Sequence, residues 1–168
     1  VRINAGRLGD DGAPSRDPTG AQGAEVSDYS HLVGHRFPGG SHTLQPHEAW
    51  LWDDSVEAEP EAGAVHPGAS YMIGFRAAGT SIQDLMDVFE TPSDAGVMMA
   101  EVEFEFAGAL VPGTTFEVEG EVFSVERKRG RRTGAFDLVG FVHRLRAEAG
   151  ADPVAVNRTW IAIPRPGE

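Results

Sequence analysis

Apolar and acidic residues alternate in two stretches of the second half of the chain. Val102, Phe104 and Phe106 interleave with Glu101, Glu103 and Glu105, and Phe116, Val118 and Val122 with Glu117, Glu119 and Glu121. A period of two puts the apolar set on one face and the glutamates on the other, which predicts two half-buried strands. Val111-Pro112-Gly113-Thr114 supplies the turn between them. Residues 135–145 are apolar on both faces for much of their length, as in a central strand, and residues 153–163 make the last one. Ahead of the strands the period changes. Met72, Phe75, Ile82, Met86 and Phe89 recur at helical spacings, with Ile73, Ala78 and Leu85 widening the stripe. Gly79-Thr80-Ser81 interrupts it, so this is one long helix with a weak joint or two helices end to end. A shorter helix starts near Thr43–Gln45, with Pro46 in its first turn, and carries Trp50 and Leu51 to about Asp53. Residues 29–40 suggest a short extended piece entering a turn, and 54–63 an acidic loop. Residues 1–27 show no apolar period and read as a flexible arm, leaving 28–168 as one domain. A helix as apolar as 70–89 must be covered on most sides. The expected class is therefore α+β, a curved antiparallel sheet wrapped around one long central helix.

Composition narrows the function classes. At 168 residues the chain is about one domain. It carries 26 acidic against 14 basic residues, a net charge of −12. That sign repels phosphate backbones and anionic membranes, so neither nucleic acid nor a membrane is an expected partner. No apolar run is long enough to span a bilayer and no signal-peptide pattern opens the sequence, so a cytoplasmic location is expected. The absence of cysteine removes disulfides, thiolate zinc sites and cysteine nucleophiles. His31, His35, His42 and His47 lie close together, but their spacing matches no metal motif, and neither metal nor cofactor is expected. The one concentration of cations is Arg127-Lys128-Arg129-Gly130-Arg131-Arg132, set around a turn glycine.

Several stretches together resemble the MaoC-like dehydratase/hydratase branch of the hotdog fold, in particular its N-terminal-type domains and companion subunits. They are the entry Val33-Gly34-His35-Arg36-Phe37, the block from Val97 to Val125 with its Gly-Thr-Thr turn, the basic turn, and the closing Asn157-Arg158-Thr159-Trp160. The resemblance runs from about Tyr29 to Pro164. It implies a 3-hydroxyacyl or enoyl thioester of coenzyme A or acyl carrier protein as substrate. It also implies pairing of two hotdog units, as a homodimer or as a heterodimer with a homologue. Active hydratases of this branch carry D-x-N-P-x-H before the long helix and A-H-G leading into it. Here Asp53-Asp54-Ser55 stands where the first should be, without Asn-Pro or the histidine. Val65-His66-Pro67-Gly68-Ala69 resembles the second with a proline inserted.

The candidate chemistry follows from those positions. His66 precedes the amino end of the long helix, where unpaired amides could polarise a thioester carbonyl and Gly68 and Ala69 allow close approach. A histidine there could act as general acid or base, with Asp53 or Asp54 holding its tautomer; each could equally shape a loop or face solvent. Trp52 and Tyr71 could line the mouth of an acyl pocket or be plain core. Arg127, Arg129 and Arg131 could clamp phosphates of coenzyme A or face a carrier protein, or simply be a solvated turn. Three functions compete: hydration or dehydration of the thioester, a non-catalytic acyl-binding companion of a heterodimeric dehydratase, and a hotdog thioesterase.

Overall fold

The computed structural model describes residues 28–59, 63–92, 94–131 and 134–165, so the arm at 1–27 lies outside the described residues. A short 3-10 turn at Ser30–Leu32 leads to strand β1 (Gly40–Thr43), helix α1 (Pro46–Ser55), helix α2 (Ala69–Ala77) and helix α3 (Ile82–Val88). Strands β2 (Met98–Phe106), β3 (Thr115–Gly130), β4 (Gly134–Arg146) and β5 (Ala155–Pro164) follow. They join in one antiparallel sheet in the order β1-β3-β4-β5-β2. The α+β class and the sheet around a helix are as the sequence implies.

The helical stretch divides in two at Gly79, and the reason is steric. Gly79 sits at φ +66, and a Cβ there would stand 2.9 Å from the Gly39 carbonyl oxygen. Only glycine fits such a conformation at so close an approach. Ser81 then starts α3 with a capping box: its Oγ accepts the Asp84 N–H and the Asp84 carboxylate accepts the Ser81 N–H.

The sheet presents Phe116, Val118 and Leu145 to Ala69, Ile73 and Ala77 of α2. A second cluster, with Val122, Val139, Phe141 and Ile163, packs on Leu85, Met86 and Phe89 around α3. Fully burying side chains of this kind stabilises by about 1.5–3 kcal/mol each. The glutamates of β3 point outward, where Arg144 pairs with Glu121 at 3.0 Å and Arg146 with Glu119 at 2.8 Å. The sequence pattern does not predict strand β1. Gly40-Ser41-His42-Thr43 has no apolar alternation; its pairing with Thr115–Val118 holds it at the sheet edge.

Two polar knots tie the layers together. Glu48 of α1 accepts hydrogen bonds from the Gln45 amide and the His42 ring and pairs with Arg76 of α2. Burial pushes its carboxyl up, but the Gln45 amide, His42 and Arg76 outweigh that and hold it below its ordinary value. At the other end, the fully buried Asp137 accepts from Arg127 Nε and Arg165 Nε, each at 2.7 Å. Arg165 also donates to the Phe89 carbonyl and lies 4.2 Å over the Tyr29 ring.

Candidate functional site

A cleft of about 600 Å³ opens where the segment before α2 meets the loop after β2. His66 and Pro67 form one wall, and Phe106, Ala109 and Leu110 form another. The Val65 amide donates to the Leu110 carbonyl at 3.0 Å and fastens the two walls together. Val65 and Leu110 are buried, so the cleft is largely apolar around a half-buried imidazole, with the exposed Glu59 also on its lining.

Asp53, in the last turn of α1, reaches this segment, but through the backbone. Its Oδ1 accepts the main-chain N–H of His66 at 2.8 Å. The imidazole instead accepts the Gly68 N–H on Nδ1 at 3.2 Å. With Nδ1 as acceptor, the neutral ring carries its proton on Nε2. The Asp53 carboxylate, one candidate for orienting the ring, therefore holds the peptide beneath it. Asp54 is exposed and makes no such contact.

The amides at the start of α2 are also engaged. Gly68 donates to the His66 ring, Ala69 to the His66 carbonyl, Ser70 to the Pro67 carbonyl, and Tyr71 to the Gly68 carbonyl. The turn Val65–Gly68 closes on the helix and fills the donors that a thioester oxygen was expected to meet. Gly68 also lets two side chains come close to the backbone. A Cβ there would stand 3.1 Å from His66 Nδ1 and 3.3 Å from Trp52 Cζ2, so the glycine admits the histidine and the tryptophan to the backbone. Trp52 is half-buried against the α2 core, and its Nε1 has no hydrogen-bond partner.

Tyr71 lies on a different side of α2, with its ring 4.8 Å from Phe75 and 6.4 Å from Phe104. Burial raises its phenol above the ordinary value. The arginines do not gather at the cleft. Arg127 is buried in its ion pair with Asp137, so its guanidinium turns inward and not toward a phosphate. Arg129 and Arg131 are exposed at the β3–β4 hairpin. The cleft borders the opposite end of β3, a strand whose contour is roughly 50 Å at the usual rise per residue. Among the described residues no group of three His, Asp or Glu side chains could hold a metal.

Sequence pattern alone assigns no site role to a group of polar residues inside the sheet. His143, Asn157 and Thr159 are each 0–1 % exposed, and Ser70 Oγ donates to Asn157 Oδ1 at 2.9 Å. The available signal was Asn and Thr on the inward phase of a strand whose other inward residues are Ala155, Ile161 and Ile163. His143 lies buried on β4, and its Nδ1 has no partner.

No family model matches the chain, and no curated protein matches it in sequence. Solved structures do. The ChsH1-ChsH2 complex from Mycobacterium tuberculosis superposes with a TM-score of 0.62 at 13% identity, over 80% of this chain and 86% of the other. The HadBC (3R-hydroxyacyl-ACP dehydratase) complex from the same organism gives 0.57 at 12%, over 78% and 96%. The MaoC-like dehydratase from Rhodospirillum rubrum gives 0.55 at 17%, over 80% and 94%.

This is the hotdog fold. At such identities the likeness concerns architecture alone, and a mutant of the fluoroacetyl-CoA-specific thioesterase FlK also superposes, with a TM-score of 0.53 at 20% identity. The fold therefore does not choose a reaction. What this hotdog chain adds is its own site: a histidine whose ring faces a glycine amide, a carboxylate spent on backbone, and a helix start with its first amides occupied.

Proposed function

We propose that this chain is an acyl-thioester-binding hotdog subunit that pairs with a second hotdog unit and contributes binding, not acid–base chemistry. The observation that carries the reading is the Asp53–His66 hydrogen bond, which runs to the peptide N–H and not to the imidazole. Adding water to an enoyl thioester, or removing it, needs a positioned acid and base. Here the D-x-N-P-x-H pair is absent and the helix amides are already used. The apolar cleft beside Phe106 and Leu110 suits an acyl chain.

The sheet edge supports the pairing. Strand β2 bonds to β5 on one side. Met98 and Met99 are more than half exposed, and Val102, Phe104 and Phe106 are only partly covered. An edge of that character is suited to a second strand. Two of the structures it resembles are complexes of differently named subunits. That favours a hotdog homologue carrying an intact acid–histidine pair over a second copy of this chain.

A second reading keeps His66 as a donor. Its ring lines the cleft with the proton on Nε2, so it could hydrogen-bond a thioester carbonyl unaided. The two readings separate on co-purification of the full chain with such a homologue, followed by titration with a non-hydrolysable acyl thioether. The companion reading expects a one-to-one complex that binds the analogue in both wild type and His66→Ala. A monodisperse monomer that ignores both homologue and analogue would overturn it.

A further inference from the structure

Beneath α2, three buried polar atoms have no hydrogen-bond partner: His143 Nδ1, Asn157 Nδ2 and Thr159 Oγ1. They form one patch. His143 and Asn157 are cross-strand partners between β4 and β5, and Thr159 lies two residues along β5 on the same face. Ser70 of α2 engages only one atom of the Asn157 amide. Turning the amide over would leave its other atom unpaired, so one amide atom lacks a partner either way. An unpaired buried group forfeits its hydration without return, and valine or leucine would occupy these positions at no such cost. Three together mark a place suited to hydrogen-bonding a guest.

The chemistry of the patch defines the guest. The rings around His143 are Phe37, Phe75 and Phe141, and the backbone beside it belongs to Gly74 and Gly120. Neither these nor the neighbouring Ser70, Asn157 and Thr159 carry charge, and burial holds the imidazole neutral by lowering its pKa to about 4. The guest must then be neutral. It exchanges one hydrogen bond with the Asn157 amide and another with an imidazole nitrogen, whichever of them donates, with the Thr159 hydroxyl serving either way. Hydroxyl oxygen meets all three demands. Gly74 brings the α2 backbone against one face of the ring, where a Cβ would stand 3.1 Å from His143 Nδ1. The cover toward the β2 edge consists of side chains that can rotate, the half-buried Tyr71, Phe75 and Phe104.

We propose that His143, Asn157 and Thr159 form a receptor for a neutral hydroxyl-type oxygen, occupied by water in the free protein and by a hydroxyl on the acyl chain when ligand threads past Tyr71. The acyl half of this rests on the acyl-thioester reading; the water half does not.

The test uses the full chain. A high-resolution crystal structure without ligand should show one water bridging the three side chains; a dry patch with those atoms still unpaired overturns the receptor altogether. Calorimetry then compares two S-alkyl pantetheine thioethers, one with a plain chain and one with a mid-chain hydroxyl. The hydroxylated analogue should bind about tenfold more tightly, the scale of one good hydrogen bond. The ratio should fall to about one in Thr159→Val, whose folding is checked by thermal melting, and in Asn157→Leu as a second variant. Equal binding of the two analogues to wild type removes the acyl half and leaves the acyl-thioester reading standing. Binding of neither overturns both.

Discussion

Asp53 holds His66 by its peptide nitrogen and not by its ring: the carboxylate takes the main-chain N–H at 2.8 Å while Nδ1 accepts from Gly68. A catalytic dyad would have the carboxylate on the imidazole, fixing which nitrogen carries the proton. In this chain the glycine amide fixes it, and the carboxylate fixes the loop. The pair is thus a structural joint between the end of α1 and the start of α2.

Replacing Asp53 separates these roles. Asp53→Ala leaves the His66 N–H without its acceptor and should cost about 1–3 kcal/mol, measured by urea denaturation. Asp53→Asn keeps an acceptor oxygen and should cost much less. It should also leave acyl-analogue binding by the complex unchanged within about threefold, since no charge on the ring is lost.

Acid should reveal His143. Its folded pKa of about 4 lies below the ordinary histidine value because burial disfavours the imidazolium. The unfolded chain therefore binds the proton more readily, and stability falls as pH drops from about 6.5 toward 4. That difference amounts to about 3 kcal/mol at most. Denaturation midpoints at pH 7 and pH 4.5 should converge more closely in His143→Gln than in wild type. Equal acid sensitivity in both would place the titrating group elsewhere.

The two glycines flanking that ring should respond differently to alanine. At Gly120 a Cβ would come within 2.5 Å of Phe37 Cδ2 and 2.8 Å of His143 Cδ2, an overlap in the packed interior. Such overpacking costs about 1–3 kcal/mol. At Gly74 the nearest atom is at 3.1 Å, and alanine in a helix interior gains about 1 kcal/mol over glycine. Gly74→Ala should come out near neutral in thermal melting and Gly120→Ala clearly destabilised.

Asp137 should be the least replaceable charge. It is fully buried between Arg127 and Arg165. Asp137→Ala strands two largely buried guanidinium groups and should cost about 3–5 kcal/mol. Arg165→Ala leaves the Arg127 pair intact and should cost less, with loosening at Phe89 and Tyr29 visible by hydrogen exchange.

The Phe–Glu alternation of β2 and β3 displayed the sheet in the sequence, because one face is buried and the other is wet. The helical stripe from Met72 to Phe89 was legible for the same reason, and Gly79 marked its joint. Gly40–Thr43 was not legible, since a polar edge strand is defined by pairing with β3 and not by its own pattern. At the site, the sequence singled out His66 and Asp53, and the fold does bring them together. Their contact runs through a backbone amide, which every residue possesses, so no side-chain motif could announce its geometry. Arg127 looked like part of a basic turn because its partner Asp137 lies on the next strand. Asn157 and Thr159 were hidden in a resemblance motif, although their inward phase on β5 was the clue.

The most direct measurement is turnover of an enoyl thioester by the chain alone, by a hotdog homologue with an intact acid–histidine pair, and by the two together. The account predicts no turnover by the chain alone. It predicts that the mixture exceeds the homologue alone and changes by less than about threefold in His66→Ala, well short of the roughly 100-fold or greater loss that removing a general acid or base produces. Turnover by the chain alone that collapses about 100-fold in His66→Ala would contradict it and make His66 the catalytic residue.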